Sequence, residues 1–339
     1  MDIVKNSKIY VGISAFFVLI SLFLLIFGKL NLGIDMTGGI QMEYSYEKNI
    51  EIPKLKEEVK KLETEMNTEL GGVINHTSVY GITGEQSLAV VVGFNNSIDA
   101  KKIDEYKEKM RSDILDVLTK SDESITESQY INIGKSFGDY IKNTAFLTLG
   151  IAIIAIALYV MHAFSGAVSG ISIISFAVIT IITLFHDVMI STGLYILTSY
   201  HFAEFQIDTF FITALLTILG YSINDTIVVF DRIRSNLKQF AGKKGNEGKE
   251  LYEIVNISIS ETIIRSLYTS VTLLFVLGTI FFFGPESISG FVLVMIFGTI
   301  IGTYSSIFIA SPLLYLANKN RKLSLYKKIV ISPEDKIVV

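Results

Sequence analysis

Asp225 lies in the string Gly220-Tyr221-Ser222-Ile223-Asn224-Asp225-Thr226 with apolar sequence on both sides, and Arg265 lies inside the next apolar segment. A carboxyl at membrane depth costs several kcal/mol unless it is paired, protonated or hydrated, so by default it marks an ion or proton path. A guanidinium nearby holds such a carboxylate charged, and separating the two favours proton uptake. The two residues have the chemistry of a switch that couples a proton to a helix movement.

Thr213, Thr217, Tyr221 and Asp225 follow at steps of four, and Arg265, Thr269 and Thr272 at i, i+4 and i+7. The spacing predicts a polar stripe on each of two neighbouring helices, with Asn224 beside the acid on the proton path. The competing readings are a buried hydrogen bond between helices and an arginine that snorkels to an interface. Against the first, a carboxyl is an expensive choice where Asn or Ser would serve. His186-Asp187 is a second buried titratable site, read as a polar contact supporting the Asp225 stripe. A metal reading is weak, because His76, His162, His186 and His201 offer no second ligand at metal spacing.

Three further strings carry less. Gly298 and Gly302, followed by Thr303, Ser305 and Ser306, have the spacing that lets helix backbones approach. Gly33, Asp35, Thr37, Gly38 and Gly39 form a turn leading into a first strand. Residues 241–249 mix Gly and Lys without the spacing of a phosphate loop. No nucleotide-binding element or cofactor site is expected, and no enzyme activity. Any work must draw on an ion gradient or a partner.

The elements that position these residues are membrane helices. Half of the 339 residues are hydrophobic and only 18% are charged, with a mean hydropathy of +0.50, which a soluble domain of this length would rarely show. Cysteine is absent, so no disulfide framework or thiolate site exists. Apolar runs near 9–27, 144–161, 171–198, 207–230, 262–283 and 288–316 predict six spans, each near the ~20 residues that cross a bilayer. The first is read as an uncleaved span behind Lys5 and Lys8. Arg232, Arg234, Lys238, Lys243, Lys244 and Lys249, then Lys319, Arg321, Lys322, Lys327 and Lys328, fall in connections predicted inside; those near 199–206 and 284–287 hold no Lys or Arg. The positive-inside rule then puts both termini in the cytoplasm of a multi-pass cell-membrane protein.

Residues 31–143 carry 13 Lys/Arg against 20 Asp/Glu, a net −7, while the remainder carries 16 against 13, a net +3. Neither half has the concentrated basic face that nucleic acid requires. The acidic stretch forms one external domain. Strands near 39–46, 73–81, 86–94 and 125–133 and amphipathic helices at 51–69 and 99–119 predict a βαββαβ, ferredoxin-like α+β lobe, with its hairpin across Thr83-Gly84. The expected organisation is a first transmembrane helix at 1–30, the external domain at 31–143, a five-helix membrane region at 144–318 and a cytoplasmic tail at 319–339.

GIDMTGG at 33–39, FHDV at 185–188, GYSINDTIVVFDRIR at 220–234, SETIIRSLYTS at 260–270 and GTYSSIFIASPLL at 302–314 together resemble the SecD/SecF family of the bacterial protein-export machinery, at its SecF branch. That family sits within the resistance-nodulation-division superfamily. The resemblance covers the whole chain. It implies a partner, SecD, that supplies a related six-span half, the two packing around a pseudo-twofold normal to the membrane. It also implies association with the SecYEG channel and a translocating unfolded preprotein, driven by the proton motive force. By the same resemblance Asp225 is the proton-path carboxylate and Arg265 its basic partner. The readings in competition are a stand-alone proton-coupled small-molecule transporter of the same superfamily, an intramembrane hydrolase at His186 and Asp187, and a structural scaffold.

Overall fold

The computed structural model describes residues 2–47, 51–82, 86–94, 100–122, 124–165, 171–202, 205–240 and 248–321. The expected Thr83-Gly84 turn, residues 241–247 of the basic connection and residues 322–339 of the tail lie outside them. Among the described residues six helices are long and apolar enough to cross a membrane. They are α1 (Ser7–Phe27), α5 (Lys135–Ala163), α6 (Ile173–Ser199), α7 (Thr209–Phe240), α8 (Leu251–Phe283) and a sixth span. That last span is built of α9 (Ser289–Ser305), one π-helical turn (Ser306–Ala310) and α10 (Ser311–Asn318). The chain is a polytopic helical membrane protein carrying a small α/β lobe between α1 and α5. Helices prevail in the membrane because hydrocarbon leaves no water to satisfy an unpaired backbone group.

The lobe contains β1 (Gly39–Ser45), α3 (Ile52–Leu70), β2 (Ile74–Ile82), β3 (Ser87–Phe94), α4 (Ala100–Ser121) and β4 (Thr126–Ile133). A one-turn helix, α2 (Ile34–Thr37), precedes β1 where a plain turn was expected. The sheet order is β2-β3-β1-β4 and every pairing is antiparallel, the ferredoxin-like arrangement. Alternation along the strands sends Ile40, Met42, Leu88, Val90 and Val92 to one face, where Leu55, Val59, Met110 and Ile114 of the two helices cover them. Gln41, Glu43, Ser78 and Tyr80 occupy the other face, which looks down on the membrane helices.

Three attachments hold the lobe on the bundle. Residues 31–33 run beside 205–207: Leu32 bridges Ile207 in parallel, the Gly33 N–H donates to Ile207 O at 2.9 Å and the Ile207 N–H to Asn31 O at 2.7 Å. The Lys56 ammonium reaches Glu286 Oε1 at 3.4 Å. On the remaining side β4 passes through Gly134 directly into α5, so the second span starts well before its apolar window. A Cβ at Gly138 would press on the backbone of Met36 and Gly38, which is why the α2 turn can lie against α5.

In the bundle α6, α7 and the sixth span form the buried centre, while α1, α5 and α8 keep most of their apolar surface outward. Gly298 and Gly302 bring α9 against α7. A Cβ at Gly298 would overlap Ile218, and one at Gly302 would press on Ser222. Overpacking a filled core costs about 1–3 kcal/mol, sometimes more. Gly298→Leu is therefore expected to lower the thermal unfolding temperature in detergent clearly. Gly278→Leu, at a position with nothing within 4 Å, is expected to leave it nearly unchanged.

Candidate functional site: two buried carboxyls among serines

The helical period decides which polar residues meet in the centre. Steps of four advance roughly 40° round a helix, so three steps drift by about 120°. Along α7, Thr213 and Thr217 consequently face outward, Tyr221 is half-buried and Asp225 is buried. Thr213, Thr217, Thr269 and Thr272 donate to carbonyls of their own helices at 2.8–3.1 Å, and Asn224 is outward-facing too. The single inward stripe expected from the spacing is thus split between two faces.

Asp225 is 6% exposed. Its Oδ1 accepts the Ser266 hydroxyl at 2.7 Å from α8, and its Oδ2 accepts the Ser306 hydroxyl at 3.2 Å from the π turn. Tyr221 donates to Ser270 Oγ at 2.8 Å one turn away, and Ser270 meets the Thr303 hydroxyl. Asp187 on α6 is completely buried. Its Oδ1 lies 2.8 Å from His186 Nδ1, and its Oδ2 accepts hydroxyls from Ser222 and, at 2.8 Å, Ser305. His186 Nε2 has no protein partner among the described residues, and its ring stacks on Tyr304 with centroids 6.5 Å apart. The expected link between the His186-Asp187 pair and α7 is formed, through Ser222 and one turn from Asp225.

One expectation needs correcting. Asp225 and Arg265 form no ion pair in this structure. Ser266, one position further along α8, is the residue turned inward, with Thr262 and Ser270 above and below it. Arg265 is turned outward into a groove of about 460 Å³ shared with Asp231, Arg232 and Glu261. Hydroxyl donors therefore do for the carboxyl what a guanidinium was expected to do. The four serines that hold the acids were read from sequence as packing residues or passed over. Small polar residues in apolar helices carry no signal that separates these roles. Among the described residues no group of three or more His, Asp or Glu could hold a metal ion.

Asp208, at the lobe-side end of α7, was also missed. Its carboxylate accepts the Phe211 N–H at 2.7 Å and so caps the helix. It borders a cavity of about 420 Å³ closed by the open face of the sheet, with Asp35, Glu43, Glu286, Tyr80 and Tyr195 around it. Burial, and secondarily the negative charge of Asp35, push Asp208 up to about 6 from an ordinary 3.8. A carboxyl raised in the closed state favours closure most below its ordinary value, and this contribution is lost as pH rises through the raised one. Hydrogen exchange at the Gly33 and Ile207 amides is accordingly expected to quicken between about pH 4 and pH 6 beyond its intrinsic rise, and Asp208→Asn is expected to abolish that excess.

A family model described as the C-terminal region of the protein export membrane protein SecD/SecF matches residues 113–320, and a model of the SecD/SecF GG motif matches residues 23–50. The chain is 33% identical to the protein translocase subunit SecF of Calditerrivibrio nitroreducens, over 95% of each chain. It is 33% identical to that of Borreliella burgdorferi, over 94% of each. Among solved structures it is similar to SecDF, a translocon-associated membrane protein from Thermus thermophilus, at 26% identity and a TM-score of 0.68. The match covers 95% of this chain and 39% of that longer one.

Proposed function

Because the chain belongs to the SecD/SecF protein-export family, as a SecF-type subunit of the protein translocase, we propose that it takes protons through Asp225 and converts the proton motive force into movement of its α/β lobe. The observation that carries this reading is the setting of Asp225. It is a titratable carboxyl buried on a helix long and apolar enough to cross a membrane, held by hydroxyls from two different elements, α8 and the π turn. Hydroxyls hold an ionised or a neutral acid equally well in geometry, so the site tolerates both charge states. A buried guanidinium pair would not.

Arg265 enters through α8. It precedes Ser266 by one residue, about 100° round the helix, so a rotation of α8 by that amount exchanges the hydroxyl for the guanidinium at Asp225. In this scheme the serines hold the acid in either charge state, and a rotation of α8 that brings Arg265 inward favours the ionised form. The lobe lies on the external side, as the positive-inside count indicates, and helix movement reaches it through α5 and the strap at 31–33. Each proton crossing the field supplies about 2.3 kcal/mol per 100 mV, so a few bias a domain movement.

The partners follow from the outward polar face. Thr213, Thr217, Asn224, Thr269 and Thr272 stand on a side of α7 and α8 that hydrocarbon would not favour. A second six-span half, SecD, covers it in the proposed complex. The solved relative SecDF, which extends well beyond the matched region, is described as translocon-associated. The SecYEG channel and the emerging unfolded preprotein are the further partners of this scheme, at the cell membrane. Asp225→Asn is expected to insert normally and to lose the proton-dependent component of export in vesicles. Wild-type export by that variant, measured with and without an imposed proton gradient, would remove the proposal.

A further inference from the structure

Ser305 and Ser306 differ from the other two serines at the site in one respect. Ser305 Oγ lies 2.8 Å from Asp187 Oδ2 and 3.1 Å from the carbonyl of Gly302. Ser306 Oγ lies 3.2 Å from Asp225 Oδ2 and 3.1 Å from the carbonyl of Thr303. Each hydroxyl thus has one proton and two acceptors within reach. Ser222 and Ser266 reach only their carboxylates among the hydrogen bonds of the described residues. All four are fully buried, so solvent does not compete for the protons.

We propose that Ser305 and Ser306 are positioning residues that read the protonation of the two carboxyls, each swinging its hydroxyl between a carboxylate and a carbonyl of its own helix. The inference rests on the proton-coupled reading of Asp225 given above. An ionised carboxylate only accepts hydrogen bonds, and it holds the serine proton. A protonated acid has a proton of its own to donate. In an apolar interior an undonated O–H is costly, and Ser306 Oγ is the neighbour that can accept it while passing its own hydrogen to Thr303 O. Ser266 cannot exchange roles in this way, so it anchors Oδ1 while Ser306 turns. The same division holds at Asp187, with Ser222 as anchor and Ser305 as the residue that turns. The one bond made and broken is the O–H of the acid; its proton comes from water on the lobe side and leaves toward the opposite face.

The backbone gives the two rotors a common frame. Ser305 ends α9 and Ser306 opens the π turn, and the Ser311 hydroxyl donates to the Ser306 carbonyl at 3.0 Å. One π turn is an α-helix with a residue inserted, a form found disproportionately at functional sites. Consecutive positions point about 100° apart, so a single turn of chain reaches α6 through one serine and α7 through the next. The two acids then titrate as a coupled pair. The ionisable groups around them are His186 on α6, Tyr221 on α7, Arg265 on α8 and Tyr304 on α9.

The test uses the full chain with its SecD partner in vesicles, reading proton-driven export against pH. Ser306→Ala is expected to cut the proton-driven rate roughly tenfold, the loss of one hydrogen bond to a charged group, and to move the midpoint of the pH profile. Ser306→Thr, which keeps the hydroxyl, is expected to restore both. Ser305→Ala, which does not touch Asp225, is expected to move the same midpoint. Should Ser306→Ala fail to insert, Ser306→Cys, similar in size and a weak donor, carries the same expectation. Wild-type rate and midpoint in the Ala or Cys variants overturn the proposal. Asp225→Asn in the same vesicles separates the two ideas: if it abolishes proton-driven export while the serine variants behave as wild type, only the serine switch fails. If it does not, the proton-coupled reading fails first.

Discussion

Two carboxyls must be held among buried apolar side chains, and the centre of this bundle is organised round that requirement. Asp187 and Asp225 sit on α6 and α7, and their four oxygens are met by hydroxyls from α7, α8 and the sixth span and by one imidazole. A serine hydroxyl reaches only a short way, so the helices that supply it have to lie close. Gly302 lets the sixth span approach Ser222, and Gly298 seats Ile218 one turn away. Polar satisfaction and tight packing are one constraint here. The three helices that carry the acids and the π turn are also the three that are buried, while α1, α5 and α8 turn most of their apolar surface outward.

The lobe is joined to this centre by short, stiff connections. One is a strap of paired backbone beside residues 205–207, close to the start of α7. The other is α5, which continues from the last strand with a single glycine between them. No long linker separates sheet from membrane at either point. The strap thereby ties the sheet side of the lobe to the start of α7 through paired backbone.

Much of the architecture was legible in the sequence because its signals are strong and local. The six apolar windows and the alternating strands of the lobe each follow from a period that hydrophobic burial enforces. The strand pattern also carried the sheet order, since a split βαβ arrangement leaves little choice of neighbour. The site was legible at its acids and not at its donors. A carboxyl in an apolar run announces itself by cost, whereas Ser266 and Ser306 look like the small residues any packed membrane helix contains. Arg265 misled for a related reason: charge draws attention, but the phase of α8 turns the residue beside it inward. Steps of four read as one face over a single turn, and over three steps the drift carried Thr213 away from Asp225. The acidic cavity at Asp208 was invisible because it is assembled from the strap, the sheet and two inter-helix connections far apart in the chain.

The start of the first helix depends on a residue some 250 positions further along the chain. The N–H groups of Ile3 and Val4 donate to the Asn256 side chain at 3.1 and 3.2 Å, and the Tyr252 hydroxyl contacts Asp2. Those amides have no such acceptor until α8 has left the ribosome and entered the bilayer. The start of the first span is thereby fixed by α8, a helix four spans later, and the two are set in place together.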